Sequence, residues 1–202
     1  MPEENNSVSG ASAGNVAMRP AQSADDPDDV RKYLSNDICN SYELHSYRHA
    51  AAVLNSSFPV ELSELESALR EFSLTTREIQ MPGGNESEIP KKFSRILRLL
   101  GWEEARIFGN LTVFQERYTE EENDTGRLIK RKLIPAVPVV LENYLDGHKV
   151  DYVKGRVAFD LEWNSKDQTF DRDLYAFRTF HECGIIGVGV LVTRSANLNP
   201  VL

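Results

Sequence analysis

The stretch "VDYVKGRVAFDLEWNSKD", Val150 to Asp167, decides the fold that this sequence predicts. Successive side chains of a β-strand point to opposite faces, so the stretch predicts one apolar and one acidic face. The apolar face holds Val157, Phe159, Leu161 and Trp163, and the other face holds Ala158, Asp160, Glu162 and Asn164. A hairpin of this kind buries its apolar face in the core, so the acids on the other face need an explanation.

The turn of this hairpin determines which residues lie opposite one another. A two-residue turn at Lys154-Gly155 pairs Asp151 with Ala158, and directly opposed side chains project to the same side of the sheet. Asp151 then shares a face with Asp160 and Glu162, and Asp160 is its diagonal neighbour at roughly 7 to 8 Å. The hairpin therefore predicts a cluster of three carboxylates.

Clustered carboxylates repel one another, which raises their pKa values unless a cation lies between them. Carboxylate oxygens, completed by water and a substrate phosphate, suit Mg²⁺. Such an ion activates water and stabilises the transition state of phosphodiester hydrolysis. Asp151, Asp160 and Glu162 are therefore candidate metal ligands, and an amphipathic hairpin with an acidic solvent face is the alternative.

The segments after the hairpin predict an α/β fold. In "FDRDLYAFRTFHECG", the residues Phe170, Leu174, Phe177 and His181 fall near one helical stripe, and Gly184 ends the helix. The continuous apolar run "IIGVGVLVT" is typical of a buried strand. A strand, a helix and a buried strand form a right-handed crossover unit, so we expect at least one parallel pair of strands.

Three helical patterns precede the hairpin. The run from Tyr47 to Leu74 holds two of them, and the second repeats apolar residues at helical spacing. The third, "NESEIPKKFSRILRLLGW", has an apolar stripe and, opposite it, the basic residues Lys91, Arg95 and Arg98. This basic stripe is either an ordinary solvated face or a face that contacts phosphates. Residues 105–153 alternate short β-like pieces with polar breaks and predict no definite layout.

The N-terminal residues differ in composition from the rest of the chain. Residues 1–34 are rich in small polar, proline and acidic residues, which predicts a disordered acidic tail before a single domain over 35–202. Of the net charge of −8, residues 1–29 contribute −5 through six acids and one arginine, which leaves −3. A bound metal would offset part of that remainder. Charge therefore neither supports nor excludes DNA as a partner.

No stretch approaches the ~18 consecutive apolar residues of a membrane span, and the first residues lack the pattern of a secretory signal. We therefore expect a cytoplasmic protein with no membrane contact. Cys39 and Cys183 have no metal-like spacing, and we expect both to be buried thiols.

The segment "VDYVKGRVAFDLEW" resembles the active-site segment of type II restriction endonucleases of the BglII and BstYI kind, a variant of the PD-(D/E)xK nuclease motif. In that pattern an acid follows an Asp after nine residues, and two residues later comes a position that is Lys in many members and Gln in BglII and BstYI. Asp151, Asp160 and Glu162 occupy these places. The segments "YRHAAAVL" and "NESEIPKKFSRILRLLGWEEAR" resemble the preceding helices of the same enzymes, so the resemblance covers Ser41 to Arg194.

The resemblance implies a restriction-endonuclease-like core, that is, a mixed central β-sheet flanked by helices. It implies a Mg²⁺-dependent, site-specific endodeoxyribonuclease of a restriction-modification system. Its partners would be double-stranded DNA, a second copy of the chain that matches a palindromic site, and a cognate DNA methyltransferase. The residues expected to contact DNA are Asn85, Lys91, Arg95, Arg98 and Asn164.

Two positions depart from the BglII and BstYI pattern. Asp160 stands where those enzymes have Glu, and Glu162 stands in place of Lys or Gln, which resembles the ExE arrangement of BamHI. A carboxylate at position 162 can bind metal or deprotonate water, but it supplies no positive charge. Lys166, four residues on, is our candidate to restore that charge during catalysis.

These departures leave two alternatives open, namely a DNA-binding relative that has lost turnover and a nuclease with a repair or other defence role. The enzymes that the chain resembles continue beyond its last apolar strand, so we expect either a shortened chain or a minimal relative. Among the other polar residues, we interpret His148 and His181 as structural. Arg172, Asp173 and Arg178 are interpreted as surface ion pairs of a helix.

Overall fold

The computed structural model describes residues 24–80, 88–134, 138–163 and 167–195, and these form a mixed α/β fold. The helices are α1 Pro27–Val30, α2 Asn36–Ser41, α3 Ala50–Ser57, α4 Pro59–Glu71, α5 Thr76–Gln80, α6 Glu88–Leu97 with a 3₁₀ turn at Arg98–Leu100, and α7 Asp167–Glu182. The strands are β1 Glu103–Val113, β2 Arg117–Glu122, β3 Leu128–Ile134, β4 Val139–Lys154, β5 Val157–Glu162 and β6 Val188–Thr193. None of the described helices is long and apolar enough to span a membrane.

The central sheet has four strands in the order β1-β4-β5-β6. β4 is antiparallel to β1 and β5, whereas β5 and β6 run parallel. The α/β prediction with one parallel pair is therefore confirmed, and α7 connects the two parallel strands. Residues 105–153, which the sequence left undefined, supply the long β1 and β4 strands and a separate β2-β3 hairpin.

The turn between β4 and β5 lies one residue later than predicted. Lys154 pairs with Val157, so the turn residues are Gly155 and Arg156. Gly155 has φ +54°, and the first position of a tight hairpin turn requires a positive φ that glycine adopts without strain. The predicted turn would have placed Lys154 there. In the observed register Asp151 lies opposite Asp160 instead of Ala158.

β4 carries a bulge at the start of the hairpin. Glu103 of β1 pairs with Val153, but Ala105 pairs with Val150, so three steps along β4 match two along β1. The extra residue of the bulge therefore lies at Asp151 or Tyr152. A bulge of this kind changes the direction of the side chains beside it, and bulges are common next to active sites.

The two faces of the central sheet pack against different helices. Alternate residues of β5 point to opposite sides, so Phe159 packs with α4 and α6 while Ala158 packs with α7. Phe93 of α6 joins the first layer, with its ring centroid 5.4 Å from that of Phe159. In the second layer, α7 lies so close to β6 that a Cβ on Gly189 would come within 2.6 Å of the Phe177 ring. β5 is thus covered on both sides.

Residues 24–34, which we predicted to belong to a disordered tail, are part of the folded structure. Val30 of α1 is buried, and the Asp25 carboxylate accepts hydrogen bonds from the Ser46 hydroxyl at 2.5 Å and the His49 N–H at 2.9 Å. These long-range contacts stabilise a segment whose composition alone predicts disorder. The folded part therefore includes residues that we had assigned to the tail, and residues 1–23 lie outside the described residues.

The two cysteines differ in exposure. Cys39 in α2 is buried, as expected, but Cys183 is exposed just after the end of α7. Its position in the turn beyond the helix keeps it outside the apolar layer, so the prediction of a buried thiol holds for one cysteine only.

Replacement of Phe93 by alanine should lower the free energy of unfolding by about 3–5 kcal/mol, because the ring is fully buried between Phe72 and Phe159. Urea denaturation measures the change. Phe114→Ala is the matched control, because this ring is 65% exposed and its loss should cost no more than about 0.5 kcal/mol. Equal losses in the two variants would contradict the packing described here.

Candidate active site

The three predicted acids lie together where β4 and β5 leave the hairpin turn. Asp151 is in the bulge of β4, and Asp160 and Glu162 are on β5. The Asp151 N–H donates to Asp160 Oδ1 at 2.6 Å, and the Leu161 N–H donates to the Asp151 carboxylate. Each aspartate therefore caps a backbone N–H of the neighbouring strand, which fixes both carboxylates relative to the sheet.

Asp160 is the most strongly perturbed of these acids. Its side chain is 3% exposed, and its second oxygen, Oδ2, is buried with no hydrogen-bond partner among the residues that the structure describes. Burial raises the pKa of Asp160 to about 7, helped by the charges of Asp151, Asp173 and Glu162, although the hydrogen bond from the Asp151 N–H opposes the change. Without a compensating cation, this carboxyl is difficult to ionise.

Asp151 opens to solvent but still loses part of its hydration. This desolvation raises its pKa, while the hydrogen bond from Leu161 and the charge of Arg98 lower it. Arg98 therefore lies near enough to interact with the acids. Glu162 is half-buried at the end of β5, and its charge contributes to the raised pKa of Asp160.

Asp173 of α7 is a further member of the site that the sequence analysis missed. It forms the ion pair with Arg172 that we predicted, but its side chain is 1% exposed, so the interpretation of Asp173 as a surface residue was wrong. Its Oδ1 lies 3.1 Å from His148 Nε2 and accepts from Arg172 at 3.2 Å, whereas its Oδ2 is buried with no partner in the described part of the chain. Among the described residues, one group of three offers metal-ligand atoms within 4.8 Å of one another: His148, Asp160 and Asp173.

The sequence does contain a signal for Asp173. The buried residues of α7 include Asp173, Ala176, Phe177 and Phe180, which follow the i, i+3, i+4, i+7 pattern of one helical face. Leu174 and His181, which we had placed on the stripe, are exposed. An acid on the buried face of a helix is a candidate functional residue. The stripe that we predicted did not include Asp173, so this candidate was overlooked.

The predicted set and the observed group overlap in Asp160. Asp151 and Glu162 flank Asp160 but do not join it in a three-ligand group within 4.8 Å, in the part of the chain that the structure describes. The observed group adds a nitrogen ligand, His148, which lies three residues before Asp151 on β4. Asp160 is therefore shared by two sets of possible ligands. One set is the predicted carboxylates Asp151 and Glu162, and the other, with His148, includes an imidazole.

The predicted DNA-contacting residues are only partly described. Lys91 and Arg95 lie on α6, and α6 ends at Leu97, so Arg98 begins the 3₁₀ turn. Its guanidinium stacks 4.5 Å over the Tyr152 ring and donates to the Trp102 carbonyl at 3.1 Å. The remaining predicted residues, Asn85, Asn164 and the candidate catalytic Lys166, lie outside the described residues.

These donors fit a divalent cation. Asp160 and Asp173 each bury one unpartnered carboxylate oxygen, which is costly unless a proton or a cation is bound. Hard oxygen ligands suit the divalent ions that hydrolytic enzymes use. The mixed α/β fold thus carries, on its central strands, a candidate divalent-metal site of the kind that hydrolases use.

Comparison with known families gives the particular class. Residues 42–200 match the family model described as "Restriction endonuclease BglII/BglIII", so the chain belongs to this family of type II restriction endonucleases. Enzymes of this family are endodeoxyribonucleases, that is, hydrolases of DNA, and they generally use a divalent metal. No curated protein matches the chain in a sequence search.

The raised pKa of Asp160 predicts a pH-dependent stability in the absence of metal. The pKa of Asp160 is about 7 in the folded protein and near 3.8 in the unfolded chain, so the folded protein binds this proton more tightly. The stability that the bound proton contributes is therefore lost as the pH rises from about 4 to 7. Asp160→Asn removes the effect and keeps the hydrogen-bond acceptor. Relative to wild type, this variant should gain on the order of 2 kcal/mol between pH 5 and 8.

Urea denaturation in the presence of a chelator measures this gain. Asp146→Asn, an exposed position on the same strand β4, is the control and should show no change relative to wild type over the same range. A gain in the control equal to that of Asp160→Asn would show that the effect does not come from the buried carboxyl.

Proposed function

We propose that the protein is a Mg²⁺-dependent type II site-specific deoxyribonuclease that hydrolyses DNA phosphodiesters in a restriction-modification system. The observation that carries this proposal is the Asp160 carboxyl. It is buried on β5 with an unpartnered oxygen, between Asp151 and Glu162, in a chain of the BglII/BglIII family. A cation at this place would offset the repulsion among the acids.

In the proposed site, Asp151 and Asp160 bind Mg²⁺. The ion, when bound, lowers the pKa of a water molecule and stabilises charge on the phosphate. Asp160 is oriented by the Asp151 N–H and Asp151 by the Leu161 N–H, so neither ligand has to be ordered when the substrate arrives. Glu162, at the open end of β5, is either a third ligand or the base that accepts a proton from the attacking water.

DNA is the proposed substrate of this acidic site, so positive charge has to come from neighbouring residues. Arg98 already interacts with Asp151, and we propose that it contacts the DNA backbone together with Lys91 and Arg95 of α6. Asn85 and Asn164 complete the proposed DNA contacts.

We further propose that the protein acts as a homodimer, because a two-fold symmetric protein matches a two-fold symmetric DNA site. We also propose that it acts in the cytoplasm. A cognate DNA methyltransferase would protect the same sequence in the host. Sedimentation equilibrium of the purified protein measures the oligomeric state.

Asp151→Ala and Asp160→Ala should each reduce Mg²⁺-dependent cleavage of unmethylated supercoiled DNA by roughly a hundredfold or more, because each removes a proposed metal ligand. Gel electrophoresis of the cleavage products measures the rate. Asp146→Ala is the matched control, since this aspartate is exposed on the same strand, and it should retain the wild-type rate.

Circular dichroism of the variants separates loss of chemistry from loss of folding. Stable DNA binding by the wild-type protein without cleavage, in either Mg²⁺ or Mn²⁺, would favour the alternative of a DNA-binding relative without turnover. Cleavage that persists in Asp151→Ala would exclude the proposed role of that residue.

Lys166 is proposed to supply the positive charge that Glu162 cannot give. Lys166→Ala should therefore lower the cleavage rate by roughly ten- to a hundredfold with little change in DNA affinity, because the charge would act on the transition state. Single-turnover cleavage and filter binding measure the two quantities. Lys130→Ala, in the β2-β3 hairpin, is the control. An unchanged rate in Lys166→Ala excludes the role.

A further inference from the structure

Asp160 also belongs to a group of possible metal ligands whose other two members, His148 and Asp173, lie outside the nuclease motif. His148 comes from β4, Asp160 from β5 and Asp173 from α7, so three separate elements converge on one place. One ligand atom from each residue lies within 4.8 Å of the other two. Ligand atoms bound to one divalent ion at 2.0–2.2 Å are separated by roughly 3 to 4.4 Å. The group therefore needs only a small contraction to hold an ion.

Both carboxylates of this group bury an oxygen that no donor satisfies. Asp160 and Asp173 are 3% and 1% exposed, and the Oδ2 atom of each lacks a hydrogen-bond partner among the described residues. A hydrogen bond from His148 would satisfy only the Oδ1 atom of Asp173, which also accepts a hydrogen bond from Arg172. It leaves both Oδ2 atoms without a donor, which destabilises a buried carboxylate unless a proton or a cation is bound.

We propose that His148, Asp160 and Asp173 form a second divalent-cation site, which shares Asp160 with the nuclease motif and prefers ions of the Mn²⁺ and Co²⁺ class to Mg²⁺. The imidazole is the reason for the preference. Nitrogen ligands bind first-row transition metals well, whereas Mg²⁺ favours an all-oxygen shell. In the metal-free protein, a proton between His148 Nε2 and Asp173 Oδ1 takes the place of the ion.

The ring of His148 is held at the edge of the site by its neighbours. The side chain is 18% exposed, and its ring lies 6.5 Å from the Phe180 ring by centroids. The apolar neighbour keeps the ring beside Asp173, whose Oδ1 lies 3.1 Å from His148 Nε2.

Such an ion would connect α7 to the β4-β5 hairpin through ligands on all three elements. The inference concerns metal binding by the protein without DNA, so it does not rest on the proposed nuclease function. An inactive protein that binds the ion would support it, and an active nuclease that lacks this second site would contradict it.

The proposal is tested by measuring how many Mn²⁺ ions the full chain binds. Electron paramagnetic resonance measures the free ion, and the bound ion is obtained by difference. His148→Phe keeps the volume of the ring and removes both nitrogens, and Asp173→Asn keeps the shape and removes the charge. Each should bind about one equivalent of Mn²⁺ less than wild type, or bind it at least tenfold more weakly, while Asp151→Asn keeps this site. His181→Phe, the same substitution at an exposed position of α7, should bind as wild type does.

A measurement on wild-type protein covers the case in which a variant does not fold. Proton nuclear magnetic resonance of the Co²⁺-loaded protein should show a hyperfine-shifted, solvent-exchangeable imidazole N–H signal, because a histidine ligand is bonded to the paramagnetic ion. Absence of that signal at saturating Co²⁺ would overturn the proposal. So would equal Mn²⁺ binding by wild type, a folded His148→Phe and a folded Asp173→Asn.

Discussion

The hydrogen bond between the Asp151 N–H and the Asp160 carboxylate is the constraint on which the site depends. The regular β4-β5 pairing ends at Tyr152 and Phe159, and the next N–H along β4 is bonded to a side chain of the partner strand. This bond holds one oxygen of Asp160 and leaves the other to the proposed cation. Because β5 is covered on both faces, that oxygen has little access to water.

The bulge in β4 makes this bond possible by changing the direction of Asp151. A regular strand would continue the ladder, and the backbone would then satisfy the N–H that Asp160 now caps. The acid is therefore part of the local structure of the hairpin as well as of the proposed chemistry. Its hydrogen bond supports the strand pairing, and its burial produces the raised pKa.

Alternation along one strand was enough to predict that Asp160 and Glu162 share a face and that the opposite, apolar face of β5 is buried, but not that the acidic face is covered as well. We also predicted that Asp151 shares this face, and the error in the turn did not change that. Moving the turn by one residue shifts the partner of each β4 residue by two positions along β5, so every side chain stays on the same face of the sheet. The error arose because Gly155 needs the position with positive φ. Asp173 was missed because hydropathy assigns an acid to solvent, and its burial depends on His148 from a distant strand.

The contact between Gly189 and Phe177 has a consequence for the distance between acids on different elements. Gly189 pairs with Ala158 on β5, two residues before Asp160, and Phe177 is one helical turn after Asp173. The missing Cβ on β6 thus sets how deeply α7 sits on the sheet. A larger residue at this position would lift the helix and draw Asp173 away from Asp160, so the spacing of the proposed metal ligands depends on a glycine outside the proposed site.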